Sequence, residues 1–528
     1  MMRHTFSVVV LVLMTALGAA GVTRAPAAAP NPFESFTAPS PQGQIDTLVF
    51  ARLQKLNLQP AQVCSDAVFV RRAYLDVIGT LPTAQQAREF LFDMRPNKRR
   101  ALIDRLLAQE EFADYWAMKW SDLLRVKAEF PINLWPNAAQ AYHRWIRTSL
   151  KENQPYDQFV REMLAASGSN FRVGPVNFYR ALQNKEPQGI AQAVALTFLG
   201  TRADQWPTNQ LAGLAAFFSQ VGYKSTGEWK EEVVFFDPGK ATNGLWQAAM
   251  FPDSTRVKLA PDRDPREVFA DWLIDPKNPW FTRNIVNRVW SWLLGRGIIH
   301  EPDDLRPNNP PSNPELLAWL EKELVAAKYD LKHLYRLILN SSTYQLASIS
   351  QNTSPEAVAN FASYPLRRLD AEVLIDALNQ ITGATEKYTS SIPEPFTFIP
   401  EDQRSIALPD GSITSSFLEM FGRPPRDTGL ESERNNRPTA AQRLHLLNSS
   451  HIQRKIEQSR MIQYQTQGNK PPREIATGMY LGILSRFPTD AERKAVEAYF
   501  QSGSVSRREA AVDLAWALIN SAEFLYRH

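Results

Sequence analysis

Charged residues cluster in three short segments of this sequence. The first contains Arg71, Arg72 and Asp76, and Arg72 lies four positions before Asp76, which is the spacing of an ion pair on one helix face. The second is a loop bounded by glycine and proline that carries the adjacent carboxylates Asp303 and Asp304. Adjacent carboxylates can bind a hard cation or share one proton, so this loop is a candidate for either chemistry.

The third charged segment covers residues 367–372 and leads into an apolar helical pattern. Glycosidic bonds are cleaved by two carboxyl groups held roughly 5–9.5 Å apart in a cleft. One of them acts as an acid and the other as a base or nucleophile. The sequence offers the following candidates for such an acid and base: Asp303, Asp304, Asp370 and Glu372.

Each of these segments also has a structural interpretation, which we favour over catalysis. Arginine–carboxylate pairs fasten elements together, and aspartates cap helices. The residues expected to hold a ligand or to join two domains are Arg71, Arg72, Asp76, Arg288, Arg367 and Arg368. We expect one polar network at the domain interface, with the members Arg71, Arg72, Arg288, Asp303, Asp304, Arg368, Asp370 and Glu372.

Signatures of common enzymes and metal sites are absent from the sequence. There is no G-x-S-x-G elbow, no phosphate-binding P-loop and no dinucleotide fingerprint. The seven histidines are scattered, and His445 and His451 would point in different directions on one helix. Cys64 is the only cysteine, whereas covalent c-type haem needs two thiols and a histidine. The sequence therefore predicts no metal site and no cofactor.

The charge balance argues against a nucleic-acid partner. The chain has 59 basic and 55 acidic side chains, a net charge of +4. Its one tight basic run, residues 98–100, lies on a helical pattern with acidic residues nearby, as on a solvated helix face. With 528 residues, the chain is too long for one hydrophobic core and should form two or three domains.

The first residues of the chain indicate export. A short polar start precedes an uncharged apolar run from Phe6 through Val22, and small residues follow. This order predicts a signal peptide over residues 1–25, followed by an Ala/Pro-rich linker over residues 26–44. The run is slightly shorter than the ~20 residues of a bilayer span, so cleavage is favoured over anchoring. We expect the protein in the periplasm, at the cell surface or secreted, with membrane contact only through an uncleaved N-terminus.

Helix start and stop signals dominate the rest of the sequence, so the fold should be mainly α. Capping boxes begin at Thr83 and Thr489, and Asp264 precedes a proline at the first helical position. Gly295 is placed to end an apolar helix that begins near Phe281. Strand signals are sparse. The strongest covers residues 232–236 and could pair only locally.

These elements predict two helical domains, residues 45–222 and 263–528. An irregular connection with a little local β structure, residues 223–262, joins them. A second segment rich in Pro, Ser and Arg runs from about residue 388 to residue 436. We expect this loop-rich insert on the surface and partly mobile.

The first domain resembles the cytochrome-c-associated domain of unknown function first noted in planctomycetes. The resemblance lies in Ile45-Asp46, in the segment from Arg71 to Thr83, in residues 102–107 with Trp116 and Trp120, and in Phe198-Leu199-Gly200. The second domain is similar to the usual companion of that domain, the planctomycete PSD-type domain of unknown function. The matching segments are Asp271–Leu273, Asn278-Pro279, Asn287–Trp290, Gly295–Ile298, Asp303-Asp304, Pro310–Pro314, Tyr344-Gln345, Arg367–Glu372 and Asp513–Leu518.

One departure from this family pattern bears on function. Members often carry a C-x-x-C-H segment soon after the Phe-Leu-Gly motif, but here Gly200 is followed by Thr201 through Trp206 without a cysteine. We also expect no separate cytochrome c-like domain of the kind that precedes these domains in longer relatives. The resemblance implies no established activity.

Three functions remain open at this stage. The first is a non-catalytic binding or assembly module of the cell envelope, whose partner is an envelope protein or a polysaccharide. The second is an enzyme that acts on an extracellular polymer through the loop carboxylates. The third is an accessory protein that docks a separate cytochrome c. The absence of catalytic signatures favours the first.

Overall fold

The structure of the protein is a computed structural model that describes residues 31–35, 37–243, 249–260, 262–350, 352–468 and 470–528. The predicted signal peptide, residues 1–25, lies outside the described residues, as does the beginning of the predicted linker. Helices make up most of the regular structure, which confirms the mainly α prediction. None of the described helices combines the length and apolarity that crossing a membrane requires.

The first half of the chain is a succession of short helices. They are α1 (Gln44–Lys55), α2 (Asp66–Val77), α3 (Ala84–Phe92), α4 (Lys98–Leu107), α5 (Glu110–Leu123), α6 (Pro136–Lys151), α7 (Tyr156–Ala165), α8 (Asn177–Arg180), α9 (Pro187–Val194) and α10 (Thr208–Ala215). A π-helical segment, Ala195–Leu199, continues α9 up to Gly200, which ends it with a φ of 65°.

The second half is helical as well. Its helices are α11 (Pro265–Ile274), α12 (Phe281–Leu294), α13 (Pro314–Ala326), α14 (Leu331–Leu339), α15 (Pro355–Ala359), α16 (Ala371–Thr382), α17 (Ser416–Met420), α18 (Ala440–Asn448), α19 (Ser450–Glu457), α20 (Arg460–Thr466), α21 (Pro472–Leu484), α22 (Asp490–Gln501), α23 (Arg507–Ile519) and α24 (Ala522–Leu525).

The helix ends follow the local signals in the sequence. Thr83 and Thr489 both form complete capping boxes, in which side chain and backbone exchange hydrogen bonds at the first turn. Asp264 accepts a hydrogen bond from the backbone N–H of Arg266 at the start of α11. Gly295 ends α12 with a φ of 70°. An N-cap of this kind contributes about 1 kcal/mol. Because these caps depend on residues within one helical turn, the sequence alone predicts where the helices begin and end.

The β structure consists of two small antiparallel sheets. In the first, β3 (Glu232–Phe236) lies between β1 (Gly168–Ser169) and β2 (Val221–Ser225). The prediction that residues 232–236 pair only locally is therefore wrong in part, because β1 comes from much earlier in the chain. The second sheet pairs β4 (Arg367–Arg368) with β5 (Tyr526–Arg527), so it joins the entrance of α16 to the C-terminus.

One continuous core runs through residues 33–528, which form a single compact unit. Trp292 on α12 contacts both Trp116 and Trp120 on α5, with ring centroids 5.5 and 5.7 Å apart. Tyr156 stacks on Phe281 at 4.8 Å. The two predicted domains thus share apolar surface across the connection, and their boundaries stay a prediction.

The loop-rich insert, residues 388–436, differs from its prediction. It has little regular structure, as expected. Residues 391–402 are mostly exposed, as predicted, but residues 405–430 are mostly buried. Ile406 and Leu418 are fully buried, and so is the guanidinium of Arg426. For this second part the surface prediction is wrong, because its arginines pair with carboxylates of other elements, which brings the surrounding backbone into the core.

Candidate functional site

Asp370, immediately before α16, lies at the centre of a buried ion cluster. Lys119 Nζ donates to its carboxylate at 3.0 Å, Arg527 Nη2 at 3.1 Å and Asn436 Nδ2 at 2.8 Å. Burial opposes the ionisation of this carboxyl, but Lys119 and Arg527 hold the pKa of Asp370 well below its ordinary value of 3.8. Asp370 is therefore an anion throughout the neutral range.

Arg434 of the insert joins two further buried carboxylates to this cluster. Its Nη atoms donate to both Glu372 oxygens at 2.7 and 3.0 Å, and its Nη2 donates to Asp122 at 2.6 Å. Arg426 Nε binds the other Asp122 oxygen at 2.9 Å. Despite burial, Arg434 and Arg426 lower the pKa of Asp122. Charge-assisted, bidentate pairs of this kind fix both partners in one geometry.

Asp76 extends the cluster toward the C-terminus. It accepts hydrogen bonds from the hydroxyls of Tyr344 and Tyr364 at 2.9 and 2.7 Å. Its other oxygen lies 3.4 Å from Arg367 Nη2 and 3.3 Å from Arg527 Nε. Because Arg527 also binds the central carboxylate, Asp76 belongs to the same network.

Arg288 and Asp303 form a separate buried pair next to the cluster. Arg288 Nη2 donates to Asp303 at 2.7 Å, and the backbone N–H of Glu431 donates to the other Asp303 oxygen at 2.7 Å. Trp292 Nε1 donates to the Glu431 carboxylate at 3.2 Å. Burial raises the pKa of Glu431, and Arg288 only partly offsets that effect.

A half-open cleft of about 220 Å³ lies over these groups. We call it the cationic cleft. Its basic lining residues are Lys119, Arg367, Arg368, Arg434 and Arg527. Its acidic lining residues are Glu301, Asp370 and Glu431. These side chains lie on α5, on the β4–β5 sheet, at the end of the insert and in the loop after α12.

Arg368 differs from the other arginines of the cationic cleft in its partners. Its guanidinium donates to Gln442 Oε1 and to the Phe421 carbonyl, both neutral, and lies over the Phe421 ring. Its Nε atom is buried and makes no hydrogen bond with any described residue. Arg368 is only 6% exposed, and among the described residues no carboxylate forms an ion pair with it. Burial lowers its pKa accordingly.

The charges around Lys119 are also unbalanced toward the positive. Burial lowers the pKa of Lys119, and repulsion by Arg434 and Arg527 lowers it further, while Asp370 acts in the opposite direction. Lys119 Nζ has three protons to donate, and Asp370 is its one hydrogen-bond acceptor among the described residues. Lys119 therefore has hydrogen-bond donor capacity that Asp370 does not use.

Of the eight residues predicted to form one network, Asp370 and Glu372 belong to the ion cluster, and Arg368 lines the same cleft. Arg288 and Asp303 form their own pair beside the cluster, whereas Asp304, Arg71 and Arg72 have other partners. Arg71 donates to the carbonyls of Ile483 and Phe524, and Arg72 donates to carbonyls near the C-terminus and near Tyr344. Neither pairs with a carboxylate of the cluster. The predicted pair of Arg72 with Asp76 is wrong, because both side chains have tertiary partners that a helix pattern does not contain.

The adjacent carboxylates Asp303 and Asp304 separate in the structure. Asp303 is buried against Arg288, whereas Asp304 faces outward and binds Arg306. Neither shares a proton with the other. In the described part of the chain, no three His, Cys, Asp or Glu side chains are arranged to hold a metal ion. The absence of a cofactor stays a prediction.

Sequence reasoning missed several members of the site. They are Lys119, Asp122, Arg423, Arg426, Glu431, Arg434 and Arg527. The insert supplies four of them, and it was interpreted as a surface loop. The one local signal was the density of arginine between residues 423 and 437, which is unusual for a segment without helical periodicity.

A histidine pair was also missed. His445 Nε2 lies 3.3 Å from His451 Nδ1, and His451 Nε2 lies 2.9 Å from Glu386. The expectation that the two rings diverge assumed one helix, but α18 ends and α19 begins at Ser449. This pair lies apart from the residues that line the cationic cleft.

Two family models match the chain. Residues 44–222 match the model PSCyt2, described as a protein of unknown function (DUF1549). Residues 265–500 match the model PSD1, described as a protein of unknown function (DUF1553). Their identity and order confirm the resemblance inferred from the motifs. No curated protein and no solved structure matches the chain.

Proposed function

We propose that this chain, in which a PSCyt2 domain precedes a PSD1 domain, is a non-catalytic binding or assembly module of the cell envelope. Both domain families are of unknown function, so the proposal rests on the site itself. The N-terminal sequence supports export, and the cationic cleft offers a place for a ligand.

The observation that carries the proposal is the pairing of the candidate acid and base residues. Asp303 and Asp370 are both held by arginine or lysine, and Glu372 is bound by Arg434 through both oxygens. A general acid for glycoside cleavage needs a raised pKa and access to the leaving group. The pKa of Asp370 is lowered instead. These carboxylates therefore have the environment of structural anions.

The proposal is tested with the purified full chain in two parallel assays. A glycan array and a titration with solubilised envelope polysaccharides should show saturable binding. A reducing-end assay on the same polymers should show no product above buffer. Product release that scales with protein concentration would contradict the non-catalytic proposal, and so would the absence of any saturable glycan or envelope partner.

One observation favours the second function, an enzyme that acts on an extracellular polymer. Glu431 lines the cationic cleft with a raised pKa, and Asp370 lines it with a lowered pKa. Two carboxyls whose environments drive their pKa values apart are typical of an acid paired with a base or nucleophile. If the reducing-end assay is positive, Glu431→Gln should abolish product formation, while the exposed Asp490→Asn should leave it unchanged.

A further inference from the structure

The charge of the cationic cleft is the starting point for a more specific inference, which rests on the proposed binding function. Five basic side chains line the cleft against three acidic ones. One of the acids, Glu301, is mostly exposed at the rim. Asp370 is already shared among Lys119, Arg527 and Asn436. Carboxylates behind the lining neutralise most of the other cations, since Asp76 lies beside Arg367 and Arg527, while Asp122 and Glu372 bind Arg434. Among the described residues, Arg368 is the lining cation that has no ion pair.

Arg368 therefore has the strongest need of an anionic partner among the lining residues. A buried guanidinium without an anionic partner is costly, because burial removes its hydration and no carboxylate replaces it. Arg368 has two neutral acceptors and an unpartnered Nε atom, and it lines the cleft. An anion in the cleft would supply the missing partner.

The end of α12 fixes the position of the Arg367 side chain, next to Arg368. Both belong to β4, and Gly295 lies against the Arg367 side chain. A Cβ atom at position 295 would collide with Arg367 Cδ, and the φ of 70° also disfavours any other residue there. Arg367 Nη1 and Nη2 bind the carbonyls of Trp292 and Leu293 at the end of α12. The arginine is fixed before any ligand arrives.

The rest of the lining suits a sugar more than a bare ion. Ser291, Ser432 and Asn436 add hydroxyl and amide groups, and Trp292 and Pro302 add apolar surface. A volume of about 220 Å³ is far more than one small oxyanion needs and accommodates a ring-sized group. The half-open mouth leaves room for the remainder of a chain.

We propose that the cationic cleft binds an acidic sugar unit, whose carboxylate or sulfate group is received by Arg368 and Lys119. Arg367 and Arg434 stabilise the bound anion through their field, since their own donors are engaged by carbonyls and carboxylates. Glu431 lies at the edge of this site, and its negative charge opposes the ligand.

The proposal is tested by calorimetric titration of the full chain at low ionic strength. The probes are trigalacturonate, its fully methyl-esterified form, a sulfated galactose oligosaccharide and sodium sulfate. At least one of the two acidic oligosaccharides should bind saturably, and added salt should weaken it because part of the site is open to solvent. The methyl ester should not bind, since esterification replaces each carboxylate by a neutral ester on the same sugar backbone.

Substitutions separate the roles of the lining residues. Arg368→Gln and Lys119→Gln should each weaken binding about tenfold or more, which corresponds to the loss of one charge-assisted hydrogen bond. Glu431→Gln should tighten binding, because it removes an opposing charge, and this gain cannot result from misfolding. Arg172→Gln removes a charge that is 72% exposed and outside the cleft, so its affinity should equal that of the unmodified protein.

The outcomes distinguish this inference from the proposed function. If neither acidic oligosaccharide binds, or if sodium sulfate binds as tightly as they do, the acidic-sugar site is refuted. If neutral glycans bind while acidic ones do not, the binding function stands and this inference fails. If the acidic sugar binds and is cleaved, the site is correct and the non-catalytic function is wrong.

Discussion

Lys119 donates a hydrogen bond to Asp370 at 3.0 Å, although 251 positions separate the two residues in the chain. Lys119 lies within the PSCyt2 match and Asp370 within the PSD1 match. The cationic cleft therefore requires both matched regions, together with the C-terminal Arg527, which lies beyond them. The site gives a structural reason for the two matched regions to occur in one chain, because neither region contains all of the lining residues.

The first prediction concerns the two halves of the chain. Expressed separately, residues 33–222 and 263–528 should not reach a native state, because separation exposes the Trp116, Trp120 and Trp292 contacts and leaves buried charges unpaired. Near-ultraviolet circular dichroism should show no fixed aromatic signal for either half. The intact chain should unfold in one cooperative transition. Two separate transitions would contradict the shared core.

The second prediction concerns Arg434. Arg434→Gln leaves Asp122 and Glu372 buried with less compensation, and the loss of one partner from a buried ion pair costs about 3–5 kcal/mol. The free energy of unfolding from urea denaturation should fall by that order. Arg172→Gln, on an exposed arginine, should change it by less than about 0.5 kcal/mol. If both substitutions lowered the free energy of unfolding by similar amounts, the buried cluster would stabilise the fold no more than an exposed ion pair does.

The third prediction is a pH dependence at Asp370. Its pKa is lowered in the folded protein, so its contribution to stability is present above the ordinary value of 3.8 and is lost as the pH falls below that value. Asp370→Asn removes this contribution at neutral pH, where we expect a loss of about 3 kcal/mol or more. The difference between the two proteins should stay constant from about pH 5 to 8 and shrink below about pH 4.

The exposed Asp490 provides the control for this measurement, since its side chain is 88% accessible. Asp490→Asn should change the free energy of unfolding only slightly at each pH, because its ion pair with Arg493 is exposed. A difference between Asp370→Asn and the unmodified protein that persists unchanged to pH 3 would refute the assignment, because a lowered pKa requires the unfolded chain to bind a proton in that range that the folded protein does not bind.

The helices could be predicted because their signals are local. A capping box such as that at Thr83, or a glycine such as Gly295 after an apolar stripe, acts within one turn of backbone. The partners of the ion cluster could not be predicted in the same way. Arg426 and Asp122 are 304 positions apart, and no periodicity in the sequence records their contact.

The insert shows a second limit of sequence reasoning. Arginine is mostly exposed in proteins, so an arginine-rich segment without helical pattern is interpreted as surface. Here Arg423, Arg426 and Arg434 are buried because they form ion pairs with carboxylates of α5 and α16. Whether an arginine faces water or a buried carboxylate depends on the tertiary structure, which the segment itself does not encode.

The fourth prediction concerns the acid sensitivity conferred by His143. This imidazole is buried in α6, and its Nε2 makes no hydrogen bond with any described residue. Burial lowers its pKa to about 3, and the nearby Arg426 and Arg147 act in the same direction. The unfolded chain binds a proton near the ordinary value of 6.5, and the folded protein does not. Stability is therefore lost as the pH falls from about 6.5 toward 3.

His143→Leu removes the imidazole that binds this proton in the unfolded chain. The slope of the free energy of unfolding against pH should fall by about 1.4 kcal/mol per pH unit between pH 4 and 6, which is the contribution of one proton. Urea denaturation of the full chain across that range measures the slope, and the slope stays informative even if the substitution changes stability at pH 7. His528, whose pKa is likewise lowered to about 3 by burial, should keep part of the acid sensitivity in the variant. Parallel curves for the two proteins would mean that His143 is already protonated in the folded state, and its burial beside two arginines argues against that.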